Sequence, residues 1–162
     1  METTVSIFAE TKEDIYRELM PQLASLLEGE SDLIANLANV GAALKLAFGK
    51  ISWVGFYFLK NGELVLGPFQ GKPACVRIKL GKGVCGTSAA KKETLIVPDV
   101  NEFPGHIFCD PDSKSEIVIP IVRDGSVLGV LDVDSSVFNN FNSVDSQYLS
   151  EILNMLHFEA LG

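Results

Sequence analysis

The spacing of hydrophobic positions changes twice along this chain. Ile15, Leu19, Leu23, Leu26 and Leu27 recur every three or four residues, the stripe of a helix packed on one side. Pro21 falls inside that stripe and is expected to kink or divide the helix. Ser31-Asp32 can cap a second helix carrying Leu33, Ile34, Leu37, Val40, Leu44 and Leu46, with Gly49 at its end. From Ser52 to Leu59 the period falls to two, and Asn61-Gly62 leads straight into Glu63–Leu66. Asn-Gly between two such runs predicts a hairpin. Further strands are predicted over Cys75–Leu80 and Thr94–Val97, with a loop at 81–86 and a short helix at Thr87–Lys92 between them. An irregular stretch, 99–115, has the length of loops that usually carry function. Glu116–Val122, Asp124-Gly125 and Ser126–Val133 make a second hairpin. Asn142-Ser143 caps a last helix running to Phe158, with Leu149, Ile152, Leu153 and Leu156 on one face.

This order predicts an α+β fold of about six antiparallel strands. The N- and C-terminal helices pack on one face of the sheet, and loops cover a pocket on the other. At 162 residues, 47% hydrophobic and 21% charged, one globular domain spanning 1–162 is expected. The net charge of −8 argues against nucleic acid or an anionic membrane as partner. METTVSIFAE is acidic and lacks the basic start of a secretory signal. No apolar run approaches the roughly 18 residues of a membrane span. The expectation is a cytoplasmic protein whose thiols are reduced at rest.

All three cysteines, Cys75, Cys85 and Cys109, lie within one 35-residue stretch. Each stands beside glycine, proline or charge. Such clustering in a cytosolic chain favours redox catalysis over structure. Cys75 precedes the strand-like Val-Arg-Ile and, alone, reads as core. Cys109 sits in the Pro/Gly/Asp-rich stretch, where a buried apolar role is less natural. Asp110 and Asp112 disfavour a thiolate there, while Lys114 and backbone N–H groups favour one. Zinc is disfavoured, because positions 75, 85, 106 and 109 match no metal-ligand spacing.

Asp132 and Asp134, two apart on one predicted strand, share a face; Leu131 and Val133 point to the other. Glu116 opens the neighbouring strand, so the three carboxyl groups can converge. Carboxylates that close repel, and one holds a proton near neutral pH. Trp53 and Tyr57 share a face across Gly55, either as core or as the aromatic wall of a site. Gly81, Gly83 and Gly86 lack the Lys-Ser/Thr ending of a phosphate loop. His106 is read as a hydrogen-bonding loop residue with no catalytic role.

The element order and the ending GSVLGVLDVDS resemble a GAF domain, a small-ligand-binding α+β module. GPFQGKPACVRIKLGKGVCGTSAA, TLIVPDVNEFPGHIFCD and SKSEIVIPI are similar to the free methionine-(R)-sulfoxide reductases, which are stand-alone GAF-type enzymes. The likeness spans about residues 10–158; the first ten residues and Phe108 carry none of it. It implies thiol-dependent reduction of free methionine sulfoxide through a cysteine sulfenic acid and an intramolecular disulfide, recycled by thioredoxin, with no added cofactor. It implies Cys109 as nucleophile, leaves the resolving role open between Cys75 and Cys85, and points to Trp53, with Tyr57, Glu116, Asp132 and Asp134, for substrate. A homodimer is allowed. A small-ligand sensor or a dimerisation module are the other readings; both normally feed an output domain, and neither needs three clustered cysteines.

Overall fold

The computed structural model describes residues 4–107 and 109–158. Met1–Thr3 and Phe108, among the positions with no expected role, lie outside the described residues. Helices α1 (Lys12–Leu27) and α2 (Leu33–Ala47) precede strands β1 (Ile51–Lys60), β2 (Glu63–Gln70) and β3 (Arg77–Lys79). Helix α3 (Gly83–Lys91), strand β4 (Leu95–Val97) and a single 3-10 turn (Val100–Glu102) follow. Strands β5 (Ser115–Arg123) and β6 (Ser126–Ser135) and helix α4 (Ser143–Asn154) complete the order. The six strands form one sheet, β3-β2-β1-β6-β5-β4, antiparallel throughout.

Both hairpins form where the Asx-Gly pairs predicted them. Asn61 and Gly62 have φ of 52° and 81°, and Asp124 and Gly125 have 50° and 75°. Two consecutive left-handed residues match the twist of the flanking strands, and Asx-Gly is the pair that takes them at least cost. Strands β1, β5 and β6 send alternate residues to two cores. Val54, Phe56, Phe58, Ile117, Ile119, Leu131 and Val133 pack against α1, α2 and α4. Trp53, Tyr57, Val118 and Val130 pack on the other face with Val84, Cys85 and Ala89 of α3.

Several expectations need correction. Helix α1 runs unbroken through Pro21, which sits on its exposed side. The hydrogen bond lost there can be met by water. On α2, Ile34 is 52% and Leu46 67% exposed. The buried stripe runs instead through Leu33, Leu37, Val40 and Leu44 with the small residues Gly41 and Ala43. The last helix stops at Asn154, although Phe158 beyond it is fully buried. Strand β3 is shorter than predicted and leaves Cys75 outside it, while α3 begins four residues early, at Gly83, and takes in Cys85.

Helix α3 is pressed onto the end of β3. A Cβ at Gly86 would stand 2.2 Å from the Lys79 carbonyl oxygen, and the Gly86 carbonyl accepts from Gly81 N–H at 2.8 Å. Backbone cannot yield as a flexible side chain can. Gly86→Ala is expected to lower stability by about 1–3 kcal/mol, read from urea midpoints.

Candidate active site

Strand register builds the site. Trp53 on β1 faces Asp134 on β6, and Asp134 faces Glu116 on β5. In the next row, Gly55 faces Asp132 and Asp132 faces Val118. The three carboxyl groups and the indole therefore lie on one face, under α3 and the 99–114 loop. They line a pocket of about 50 Å³ together with Tyr57, Cys85, His106, Cys109 and Ser113.

The aromatic pair does more than form a wall. Trp53 and Tyr57 have ring centroids 6.0 Å apart, and Trp53 stacks on Phe69 at 5.4 Å. Gly55 makes room for the indole, since a Cβ there would lie 2.5 Å from the Trp53 ring. Trp53 Nε1–H donates to the Lys72 carbonyl at 3.1 Å, and the Tyr57 hydroxyl donates to the Cys75 carbonyl at 2.9 Å. The two rings thus hold the backbone of the segment that carries Cys75.

That segment is bonded to the long loop. Cys75 and Cys109 form a disulfide across 34 residues, with Cα atoms 5.6 Å apart. Lys72 reinforces the junction through ion pairs to Asp110 and Asp112. The fold brings two irregular segments, distant in sequence, to bonding distance. Cys85 is the free thiol. It falls in the stretch expected to be a loop, but lies buried in the first turn of α3, 4% exposed.

Burial dominates the electrostatics. Glu116, Asp132 and Asp134 all hold their protons well above the usual carboxylate range. Burial is the first cause in each, followed by a neighbouring carboxylate: Asp134 for Glu116, Glu116 for Asp132 and Asp132 for Asp134. Ser113 Oγ donates to Asp134 at 2.6 Å and partly offsets the rise. The Cys85 thiol, 3.9 Å from Glu116 Oε1, is pushed up by burial and then by Asp132 and Glu116. Cys85, Glu116 and Asp132 place their ligand atoms within 4.8 Å of one another, a set able to hold a metal ion. A metal needs those ligands deprotonated, and burial opposes that for all three. His106 Nε2 lies 3.6 Å from Glu116 Oε2, and burial pushes its pKa down.

A pH dependence follows. Native pKa values above the unfolded values near ~4 mean that the native state binds more protons in the window between them, so these groups cost stability as pH rises through it. Asp132→Asn should therefore gain stability relative to the parent from pH 5 to pH 8, measured as the difference in urea midpoints.

Sequence reasoning named Trp53, Tyr57, Cys85, Cys109, Glu116, Asp132 and Asp134, and the fold brings all seven to one pocket. Cys75 is bonded to the wall but does not line the pocket. His106, read as a loop residue with no catalytic role, and Ser113, not considered, also line the pocket. Both sit in the irregular stretch, three and four residues from Cys109, and that proximity was the signal available.

A GAF-domain family profile matches residues 12–157. The chain belongs to the GAF family. This GAF protein is similar to the free methionine-R-sulfoxide reductase of Escherichia coli, 46% identical over 145 residues covering 90% of this chain and 88% of that protein. It is similar to the Saccharomyces cerevisiae protein of the same name, 44% identical over 90% of this chain and 86% of that one. A crystal structure of the Neisseria meningitidis free methionine-R-sulfoxide reductase in complex with its substrate superimposes with a TM-score of 0.92. It is 46% identical and covers 95% of this chain and 93% of that one. No helix among the described residues is long and apolar enough to cross a membrane.

Proposed function

We propose that this GAF protein reduces free L-methionine-(R)-sulfoxide to L-methionine with its own thiols. One observation carries the reading: the Cys75–Cys109 disulfide stands on a pocket floored by three proton-holding carboxyl groups, Glu116 and Asp132 buried and Asp134 half-buried. The names of its relatives supply the substrate.

The Cys109 thiolate attacks the sulfoxide sulfur while a protonated carboxyl group of the Glu116–Asp132–Asp134 set donates to the oxygen. Oxygen passes to Cys109 as a sulfenic acid, and methionine leaves. The Cys75 thiol then attacks that sulfur, expelling water and forming the Cys75–Cys109 disulfide. Thioredoxin returns two electrons and restores both thiols. Of the two candidates for the resolving role, Cys75 is favoured by its bond to Cys109; Cys85 lies in the same pocket as Cys109, but burial and the neighbouring carboxyl groups oppose a thiolate there.

The Trp53 and Tyr57 rings suit the methyl group and sulfur, since sulfur–aromatic contacts are favourable. A bound α-ammonium favours loss of the proton from one of the three carboxyl groups and pairs with the carboxylate so formed, which favours the free amino acid over a peptide. The test is turnover with dithiothreitol of L-methionine-(R)-sulfoxide beside its S epimer and a blocked peptide analogue. Methionine released from the R epimer alone is expected. Binding without release from any of the three would leave a small-ligand sensor.

A further inference from the structure

The oxidised protein must regain its electrons, a need that rests on reading the disulfide as the product of turnover. The two sulfurs do not occupy equivalent places. Cys109 belongs to the pocket wall, beside Asp110 and Ser113, whereas Cys75 is half-buried and does not line the pocket. Cys75 leads into β3, an edge strand of the sheet. Beside the two cysteines in sequence, apolar side chains are left in solvent: Val76 is 63% exposed and Ile107 36%, and Leu80 at the far end of β3 is 40% exposed. On β3, Ile78 turns into the pocket wall while Arg77 and Lys79 turn out.

Charge is distributed unevenly in the same place. The chain carries 13 basic and 21 acidic residues, yet from Leu64 to Lys92 it has six basic residues and no acidic one. Four of the six, Lys72, Arg77, Lys79 and Lys82, fall within seven residues of Cys75. Lys72 is held by Asp110 and Asp112, and Arg77 by Glu63. Among the described residues Lys79 and Lys82 make no ion pair. At about 3.5 Å per residue, Lys72 and Lys79 stay within roughly 14 Å of Cys75. A partner's share of a standard interface, about 800 Å², spans a disc of roughly 16 Å radius. One protein seated on the disulfide would meet exposed Val76 and Ile107 near its centre and, within its footprint, Lys79, a cation with no ion pair among the described residues.

We propose that an acidic dithiol protein docks on the 72–80 face beside Ile107 and attacks the sulfur of Cys75. Its thiolate forms a bond to Cys75 Sγ, the Cys75–Cys109 bond breaks, and Cys109 leaves as a thiolate into the pocket. The partner's second thiol, as thiolate, then attacks the partner's own bonded sulfur and expels the Cys75 thiolate. Two electrons have passed from the partner, which ends as a disulfide, and its two protons end on Cys75 and Cys109. This order frees the attacking cysteine first and places it where the sulfoxide binds.

Two experiments test it. Oxidised protein is mixed with thioredoxin whose second active-site cysteine is replaced by serine, and the mixed disulfide is located by peptide mass spectrometry. Linkage to Cys75 is expected; linkage to Cys109 overturns the proposal. This reaction needs only the disulfide, so it reports on the attack even if no sulfoxide is reduced, the result that would instead sink the reductase reading. In the second, the double variant Val76→Asp with Lys79→Glu is driven by thioredoxin or by dithiothreitol. A rise of about tenfold in KM for thioredoxin is expected, with KM for methionine sulfoxide under dithiothreitol unchanged. In the parent alone, thioredoxin-driven turnover should weaken as salt rises. Equal KM for thioredoxin in parent and variant overturns the docking face.

Discussion

Cys109→Ser is expected to abolish reduction of free methionine sulfoxide, in single turnover as well as in steady state. Serine keeps the shape but has no thiolate, and a sulfenic acid cannot form on it. The loss should reach at least ~10^3-fold, the scale on which enzymes lose rate when a nucleophile is removed. Cys75→Ser separates the steps. The first attack needs only Cys109, so one methionine per protein should still be released from the reduced variant, while thioredoxin-driven turnover fails for want of a disulfide to attack. Rapid quench with methionine quantified, beside a thiol count, checks both. If Cys109→Ser releases methionine at the parent's single-turnover rate, the nucleophile must be Cys85, which lies in the pocket beside Glu116.

The second large effect concerns the carboxyl groups. Glu116→Gln, Asp132→Asn and Asp134→Asn should each lower kcat/KM, by roughly 10- to 10^4-fold for the one that donates the proton. Their melting temperatures should stay level or rise. Glu116 is 5% and Asp132 7% exposed, and each has another carboxyl group close by, so folding gains little from their charge. A cationic ammonium and a polarised S=O bond do gain from it. Asp134 differs from the other two in accepting a hydrogen bond from Ser113, so Asp134→Asn should melt lowest of the three. Measuring kcat/KM and melting temperature together decides the matter: variants that melt far lower yet keep parental rates would make the cluster structural.

The fold was legible because its signals are local. Asn61-Gly62 and Asp124-Gly125 demand left-handed backbone wherever they occur. Period two assigns the strand faces, so Asp132 and Asp134 fall on one face by the alternation alone. The boundaries that failed depend on distant packing. Helix α3 starts at Gly83 because its first turn lies against Ile107 of the long loop and against the end of β3. Nothing near Gly83 in sequence announces that.

The chain by itself determined the element order, the two Asx-Gly turns and the shared face of the carboxylates, all set by interactions within a few residues. It also narrowed the chemistry to three cysteines. Only the tertiary structure decided which of them meet. Pairing two irregular segments 34 residues apart depends on how β1 holds one of them, through Trp53 and Tyr57, and on how the long loop folds over the other face. It also decided that Cys85 is buried among proton-holding carboxyl groups, because desolvation is a property of the packed surroundings and not of a residue's neighbours in sequence.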